Sequence, residues 1–391
     1  MNTGPAAKEG AVGPVAVQAD RGGAETLPTL LAGLRAVNPA LVLLFAEDGD
    51  ELAALDAGLR GELPRDCIIA GCSSAGEIGP CGYTSGSVVA IGFPAASFRA
   101  RALVLDHLST LPVSGWMASL RQAQQDFGAG PGRSLFGLLL VDGIAGQEDT
   151  LVATIDAALP SVPTLGGTAG DGLDFRQTSL LFEGEIISGA AVFLLVETDL
   201  AVSEVSFAHF SPTETRAVVT AALPEKRRIL ELNAEPAAEE YARIIGIPRD
   251  RLTPTDFAQH PLLLRMGKRH HVRAISAMTE DGGLSLMSAI DTGTVLTLGR
   301  ADDLTRGFAE ALESLPRPPL MVLGFDCILR RLALEREGLT HAMSDLFQRY
   351  RVAGFNTYGE QHAGMHVNQT FVGLAFMPPA DGTLTGHADV A

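Results

Sequence analysis

The chain reads as a two-domain α/β protein in which repeated strand–helix–strand–turn units form mixed sheets flanked by helices. Three observations predict this. Segments 70–93 (AGCSSAGEIGPCGYTSGSVVAIGF) and 353–376 (AGFNTYGEQHAGMHVNQTFVGLAF) share an Ala-Gly pair and a Gly-Glu step, Gly76-Glu77 and Gly359-Glu360. The interval from the first glycine to the closing phenylalanine is also shared, 22 residues from Gly71 to Phe93 and from Gly354 to Phe376. A matched interval marks one supersecondary unit used more than once. A looser third copy, PTLGGTAGD at 163–171, carries Asp171 in place of the glutamate. Finally, the apolar runs 41–45, 135–141 and 321–325 each precede a helical segment that ends before a glycine turn. Short apolar runs alternating with helices are the pattern of layered α/β structure with buried strands.

At 391 residues the chain exceeds the size at which one core usually keeps growing, which predicts domains at 26–198 and 199–378. The ends, 1–25 and 379–391, read as disordered tails. The first is made of Gly, Ala and Val in short pieces and lacks the basic start and apolar core of a signal peptide. Four cysteines make no disulfide framework in so long a chain, so a reducing, cytoplasmic setting is expected. Runs of about 18 apolar residues are absent, so no membrane span is expected. Net charge is −17 and no basic stripe interleaves with aromatics, which argues against nucleic acid.

Along the chain, residues 41–45 form the first strand. Asp50 and Glu51 open a helix whose Leu52, Leu55 and Leu59 share a face. Residues 67–70 run into the first glycine turn, and 87–93 and 100–105 read as paired strands. Trp116, Leu120, Ala123 and Phe127 lie on one helical face. Leu151, Ile155 and Leu159 mark the helix of the second unit, followed by a hairpin over 179–196. The register breaks near 197–199, the predicted boundary. Beyond it, 217–223 and 228–233 are strand-like. Pro236 opens a helix that Gly246 ends. Residues 249–267 look irregular, and 271–277, 284–290 and 294–298 read as a meander. Leu304, Phe308 and Leu312 begin a helix before the last unit.

Residues 70–78, VT at 219–220 with ILELNAEPAAEEY at 229–241, Asp326-Cys327 with Arg330-Arg331, and GFNTYGEQ at 354–361 resemble the FIST domain family. The FIST N and FIST C halves would together cover roughly residues 25–378. The resemblance implies a sensory, ligand-binding module of a signalling system. The ending GFNTYGEQ…HVNQT further resembles the nitric-oxide-sensing haem proteins of the family, which control a partner histidine kinase.

Candidate sites follow. Glu77, Asp171 and Glu360 each follow a glycine at a strand end, where open α/β sheets commonly bind ligands. Glu77 or Glu360 would receive an ammonium or hydroxyl group. Ser73, Ser74 and Thr84 are expected on one side, and Thr357, Tyr358 and Asn368 on the other. The competing reading is that each carboxylate only fixes its own loop. A haem sensor needs a neutral imidazole and an apolar slot. Among nine histidines, His260 is favoured, held extended by Pro261 and flanked by Phe257 and Leu262–264, with Arg265 placed to meet a propionate. The alternative is that His260 only caps a loop. His209 is second, and His270 and His271 point to opposite strand faces.

Other chemistries are weakly signalled. His362 and His366 would pair on a helix, but Gly364 argues for a loop. Gly71–Ala75 only approximates a nucleophile elbow, and Walker, HExxH and dinucleotide motifs are missing. An enzyme is therefore not expected. Three readings stand side by side: a haem-binding, nitric-oxide-responsive sensor acting on a histidine kinase; a module binding an amino-acid-like ligand at the Gly-Glu turns; and a protein-interaction adaptor without a small ligand.

Overall fold

The computed structural model describes residues 13–379 apart from Lys268. Of the predicted tails 1–25 and 379–391, residues 1–12 and 380–391 lie outside the described residues. The first unit runs β1 (Val15–Asp20), α1 (Thr26–Arg35), β2 (Pro39–Ala46), α2 (Gly49–Arg60), β3 (Ile68–Ser73), the hairpin β4 (Glu77–Gly79) and β5 (Gly82–Thr84), and β6 (Ser87–Pro94). The second repeats it as β7 (Phe98–Leu105), α3 (Val113–Phe127), β8 (Ser134–Val141), α4 (Glu148–Ala158), β9 (Thr164–Thr168), β10 (Leu180–Phe182), β11 (Glu185–Ile187) and β12 (Ala191–Thr198).

The third unit opens with β13 (Ala201–Ala208) and is then interrupted by an inserted segment. That segment holds β14 (Phe210–Leu223), β15 (Arg228–Leu232), β16 (Glu235–Pro236), α5 (Ala237–Ile245), α6 (Pro254–Gln259), β17 (Leu262–Met266), β18 (Arg269–Arg273), β19 (Ile275–Met278), β20 (Leu284–Leu286) and β21 (Val295–Ala301). The unit resumes with α7 (Arg306–Glu313), β22 (Met321–Cys327), α8 (Ile328–Arg336), α9 (Thr340–Tyr350), β23 (Val352–Thr357), β24 (Glu360–His362), β25 (Met365–Val367) and β26 (Thr370–Met377).

The three units build three sheets of one topology: β1-β6-β2-β3-β10-β11, β7-β12-β8-β9-β24-β25 and β13-β26-β22-β23-β4-β5. Within each, the two strands joined by the crossover helix are parallel and the others antiparallel. The last two strands of every sheet come from another unit. The first unit's hairpin extends the third sheet, the second's extends the first, and the third's extends the second. The exchange closes on itself, so the units form a ring.

Apolar alternation places the core. Leu41, Leu43 and Phe45 face inward with Phe136, Leu138, Leu140, Leu323, Phe325 and Phe355, where the three sheets meet. Phe45 stacks on Phe355 at 4.5 Å between ring centroids, the kind of aromatic contact that adds to simple area burial. The intervening Val42 and Leu44 face outward under α1 and α2 through Leu30, Leu34, Leu52 and Leu59. Equivalent layers lie under α3 and α4 and under α7 to α9. Strands apolar on both faces are what a sheet between two layers requires. The repeated glycine of the third strand has a steric cause. Gly71, Gly166 and Gly354 sit opposite Leu44, Leu139 and Gly324, and a Cβ there would lie 1.8–2.0 Å from the neighbouring carbonyl oxygen.

The α/β class and the repeated unit are as expected from the sequence. Several local expectations are corrected. Residues 15–20, expected in a tail, form β1 on the edge of the first sheet, because Val15 and Val17 continue the apolar pattern there. Strands β6 and β7, read as a pair, lie in different sheets. The predicted irregular stretch 249–267 holds α6, opened by a Thr253–Asp256 capping box, and β17. Of the predicted meander, β19 pairs with β20, whereas β18 and β21 both pair with β17.

Candidate functional site

Hairpin exchange brings the three glycine turns into direct contact. Ala75 N–H donates to the Asn356 carbonyl at 3.0 Å, and Asn356 N–H returns a bond to Gly76 at 2.7 Å. Gly170 N–H donates to Ser73 at 3.0 Å and Thr168 N–H to Gly359 at 2.8 Å, so each turn touches the next.

Within this ring Glu77 and Glu360 are fully buried and built alike. The Ser74 hydroxyl, three residues before Glu77, donates to Oε1 at 2.6 Å, and Ser87, ten residues after, to Oε2 at 3.1 Å. Thr357 and Thr370, at the same spacings from Glu360, donate at 2.5 Å each. Burial pushes the Glu77 carboxyl up to about 7 against the pull of the Ser74 and Ser87 hydroxyls, with Glu47 adding to the rise. Burial likewise pushes Glu360 up to about 8, opposed by Thr357 and Thr370 and reinforced by Asp326. Both carboxyls therefore act as internal clamps at the hairpin roots rather than facing solvent.

Asp171 behaves differently. It accepts from the backbone N–H groups of Phe175, Arg176 and Gln177 at 2.8 Å each, and from the Tyr358 hydroxyl. Burial works against its charge, but the Tyr358 hydroxyl and these N–H groups outweigh it and hold the carboxyl below its usual range. Phe175 stacks on Tyr358 at 4.1 Å and roofs the turn.

Beside this loop lies a polar crevice of about 430 Å3 at the C-terminal ends of the parallel strands β2 and β3, lined by Asp48, Asp50, Ser73, Asp171, Asp174 and Arg176 among others. Arg21 offsets part of the negative charge through Glu47 and Asp48. Of the predicted pocket residues, Ser73 lines this crevice, where its hydroxyl accepts from Ser179 N–H at 2.9 Å. Ser74, Thr84 and Thr357 instead belong to the two buried clamps.

The residues proposed for haem are arranged otherwise. His260 ends α6, its Nδ1 lies 3.3 Å from the Asp256 carbonyl, and its own carbonyl accepts from Tyr241. Phe257, Leu262 and Leu264 pack with the core of the inserted sheet. Arg265 is exposed and donates to Gly267. His209 is buried against Phe210, with ring centroids 3.9 Å apart and Nδ1 unpartnered. Burial and then the Arg330 guanidinium hold it well below the usual histidine range. With the flanking apolar side chains committed to packing and His209 sealed, this arrangement does not fit a porphyrin. His362 turns to Glu204 at 2.7 Å while His366 faces Gln361, so the two serve different partners.

A cluster that sequence reasoning missed lies where the inserted sheet meets the ring. Asn368, singled out from the sequence, accepts from Ser288 at 2.7 Å across this junction. Arg227 pairs with Glu148, and Ala289 N–H donates to Asp149 at 3.2 Å. Gln361, His366 and Arg273 lie buried beside them. Gln361 Oε1 and Arg273 Nε have no hydrogen-bond partner, at a typical cost of about 1–3 kcal/mol each. Only the glycine at 359 lets the His366 ring lie against the turn, since a Cβ there would sit 2.2 Å from Cε1. The sequence carried these residues in plain view, but their convergence depends on the insertion, which no local pattern signals.

The profile of the FIST N domain matches residues 40–235 and that of the FIST C domain residues 237–363. The chain belongs to the FIST family. FIST domains are sensory modules of signal transduction rather than enzymes. The seam between the two FIST matches falls inside the inserted segment, at Pro236 of β16. The chain is also similar to an uncharacterized protein of Methanocaldococcus jannaschii, 25% identical over 182 residues. That match takes in 43% of this chain and 35% of the relative, so the chain spans about a third of that protein's length. Among the described residues no helix is long and apolar enough to cross a membrane.

Proposed function

We propose that this FIST protein senses a small amino-acid-like ligand in the crevice between the first and second units and passes the signal to a protein partner. The observation that supports the reading is the crevice itself, which gathers side chains from two glycine-turn regions at the carboxyl ends of parallel strands. Ligands of open α/β sheets commonly bind there, and about 430 Å3 is within the range of small-molecule pockets. Asp50 and Asp174 would receive an ammonium group, Arg176 a carboxylate and Ser73 a hydrogen-bonding group. A partner histidine kinase is the signalling protein that the family resemblance implies.

Thermal-shift screening of free amino acids tests this, because a ligand selective for the native state raises the melting temperature. The expected result is stabilisation that disappears in an Asp50→Asn/Asp174→Asn double variant. A visible spectrum of freshly purified protein tests the other sensor chemistry. A Soret band, with no response to amino acids, would displace this reading in favour of haem and nitric oxide. Absence of both responses, with a kinase still retained in a pull-down, would leave an adaptor.

A further inference from the structure

The inserted segment is joined to the ring through one neck, where β13 passes into β14 and β21 leads back towards α7. In the neck Phe210 pairs with Ala301, and Asp302 N–H donates to the His209 carbonyl at 2.8 Å. Away from the neck, the segment rests on the hairpin β24–β25 and the start of α4 through polar contacts. Ser288 meets Asn368, Ala289 meets Asp149, and Arg227 meets Glu148.

Two groups in this closed seam are unsatisfied. Arg273 is 6% exposed, its Nε has no acceptor, and its Nη1 reaches only the carbonyl of Val272 at 3.4 Å. Gln361 is fully buried, and its Oε1 has no donor. His366 lies between the two sides: its Nδ1 is 3.4 Å from Gln361 Nε2, and Arg273, Arg227, Glu148 and Asp149 all act on it electrostatically. Burial, helped by the two arginines and opposed by Glu148 and Asp149, holds this imidazole below the usual histidine range. The seam thus offers a buried guanidinium, with Asp149 acting on it, whose Nε lacks an acceptor, and a neutral amide oxygen that lacks a donor.

We propose that the seam between the inserted sheet and the β24–β25 hairpin is a second ligand site, taking a small carboxylate that also carries an O–H or N–H donor. The carboxylate would meet Arg273, since a guanidinium pairs with carboxylate through charge-assisted hydrogen bonds. The donor would meet Gln361 Oε1. Both protein atoms are sealed from solvent as arranged, so admission requires the inserted sheet to part from the hairpin about the neck. Ligand binding is thereby coupled to the position of the inserted segment. This site is separate from the crevice and does not depend on it.

Thermal shift and hydrogen exchange on the full chain test the proposal, with L-lactate, which has a hydroxyl donor but no ammonium group, as probe and acetate, which lacks the donor, as comparison. The expected result is that lactate raises the melting temperature more than acetate does. Amide protection should then increase at least about threefold in residues 269–273 and 360–367. The shift should vanish in Arg273→Gln and persist, weakened, in Arg273→Lys, which keeps the charge but loses the planar fork. If Arg273→Gln does not fold, the exchange map of the natural protein decides alone. No shift with lactate, a lactate shift that survives Arg273→Gln, or protection confined to 171–177 would each overturn it; the last would assign the binding to the crevice.

Discussion

Replacing Glu360 by glutamine should remove a pH dependence that the buried carboxyl imposes on stability. Burial lifts this group from 4.5 to about 8 in the folded chain. Between those values the native protein holds one proton more than the unfolded chain, so stability falls as pH rises. The contribution is fully present below 4.5 and lost once pH passes about 8. A rise of about 3.5 pH units at 1.36 kcal/mol each gives a loss on the order of 4–5 kcal/mol for this one group. Glu360→Gln keeps the size and one of the two acceptor oxygens that serve Thr357 and Thr370, and it has no proton to lose. Urea denaturation at about pH 5, 6.5 and 8.5 measures the effect in both proteins. The natural chain should lose stability relative to the variant by several kcal/mol across the series, with the variant the more stable at the alkaline end. Unfolding midpoints that run parallel at all pH values would refute the reasoning. Glu77, lifted to about 7, should add a smaller loss centred lower.

Gly71→Ala would place a Cβ 2.0 Å from the Leu44 carbonyl oxygen, a backbone atom with nowhere to go. A loss of roughly 3 kcal/mol or more, read by urea titration or as failure of soluble expression, is expected. Tyr358→Phe removes the hydroxyl that donates to Asp171. The Asp171 carboxyl, titrated by NMR, should move back up towards its ordinary range. Amide exchange over 171–177 should speed up by about tenfold, matching roughly 1.5 kcal/mol for a hydrogen bond to a charged group. Unaltered exchange would show that the three backbone N–H bonds to Asp171 suffice.

The sequence announced the unit because its signals are local. The Ala-Gly pair records a close strand crossing, the Gly-Glu step records a clamp, and Leu52, Leu55 and Leu59 record a helix face. It did not announce which unit receives which hairpin, because β4 and β24 are three residues each and carry no register information. Strands β6 and β7 looked like partners for another reason, the short connection from Pro94 to Phe98. Glu77 and Glu360 were recognised as repeated, yet only the hydroxyls ten residues downstream, Ser87 and Thr370, reveal them as sealed. The polar seam was illegible for a different reason. Arg273 and Gln361 belong to strands 88 positions apart in the chain, brought together by an insertion whose placement is a tertiary fact.

The donated hairpins also constrain how such a chain can be made. One edge of β4 is covered at once by β5, where Ile78 pairs with Tyr83, but the other, where Ile78 pairs with Gly354, must wait through synthesis of more than two hundred residues. A ribosome-bound fragment ending after β12 would carry two orphaned ladders, one on β4 and one on β9, each a template for a neighbouring molecule. Assembly of this architecture is therefore decided at its carboxyl end, and helpers that shield bare strand edges would act on the first two units.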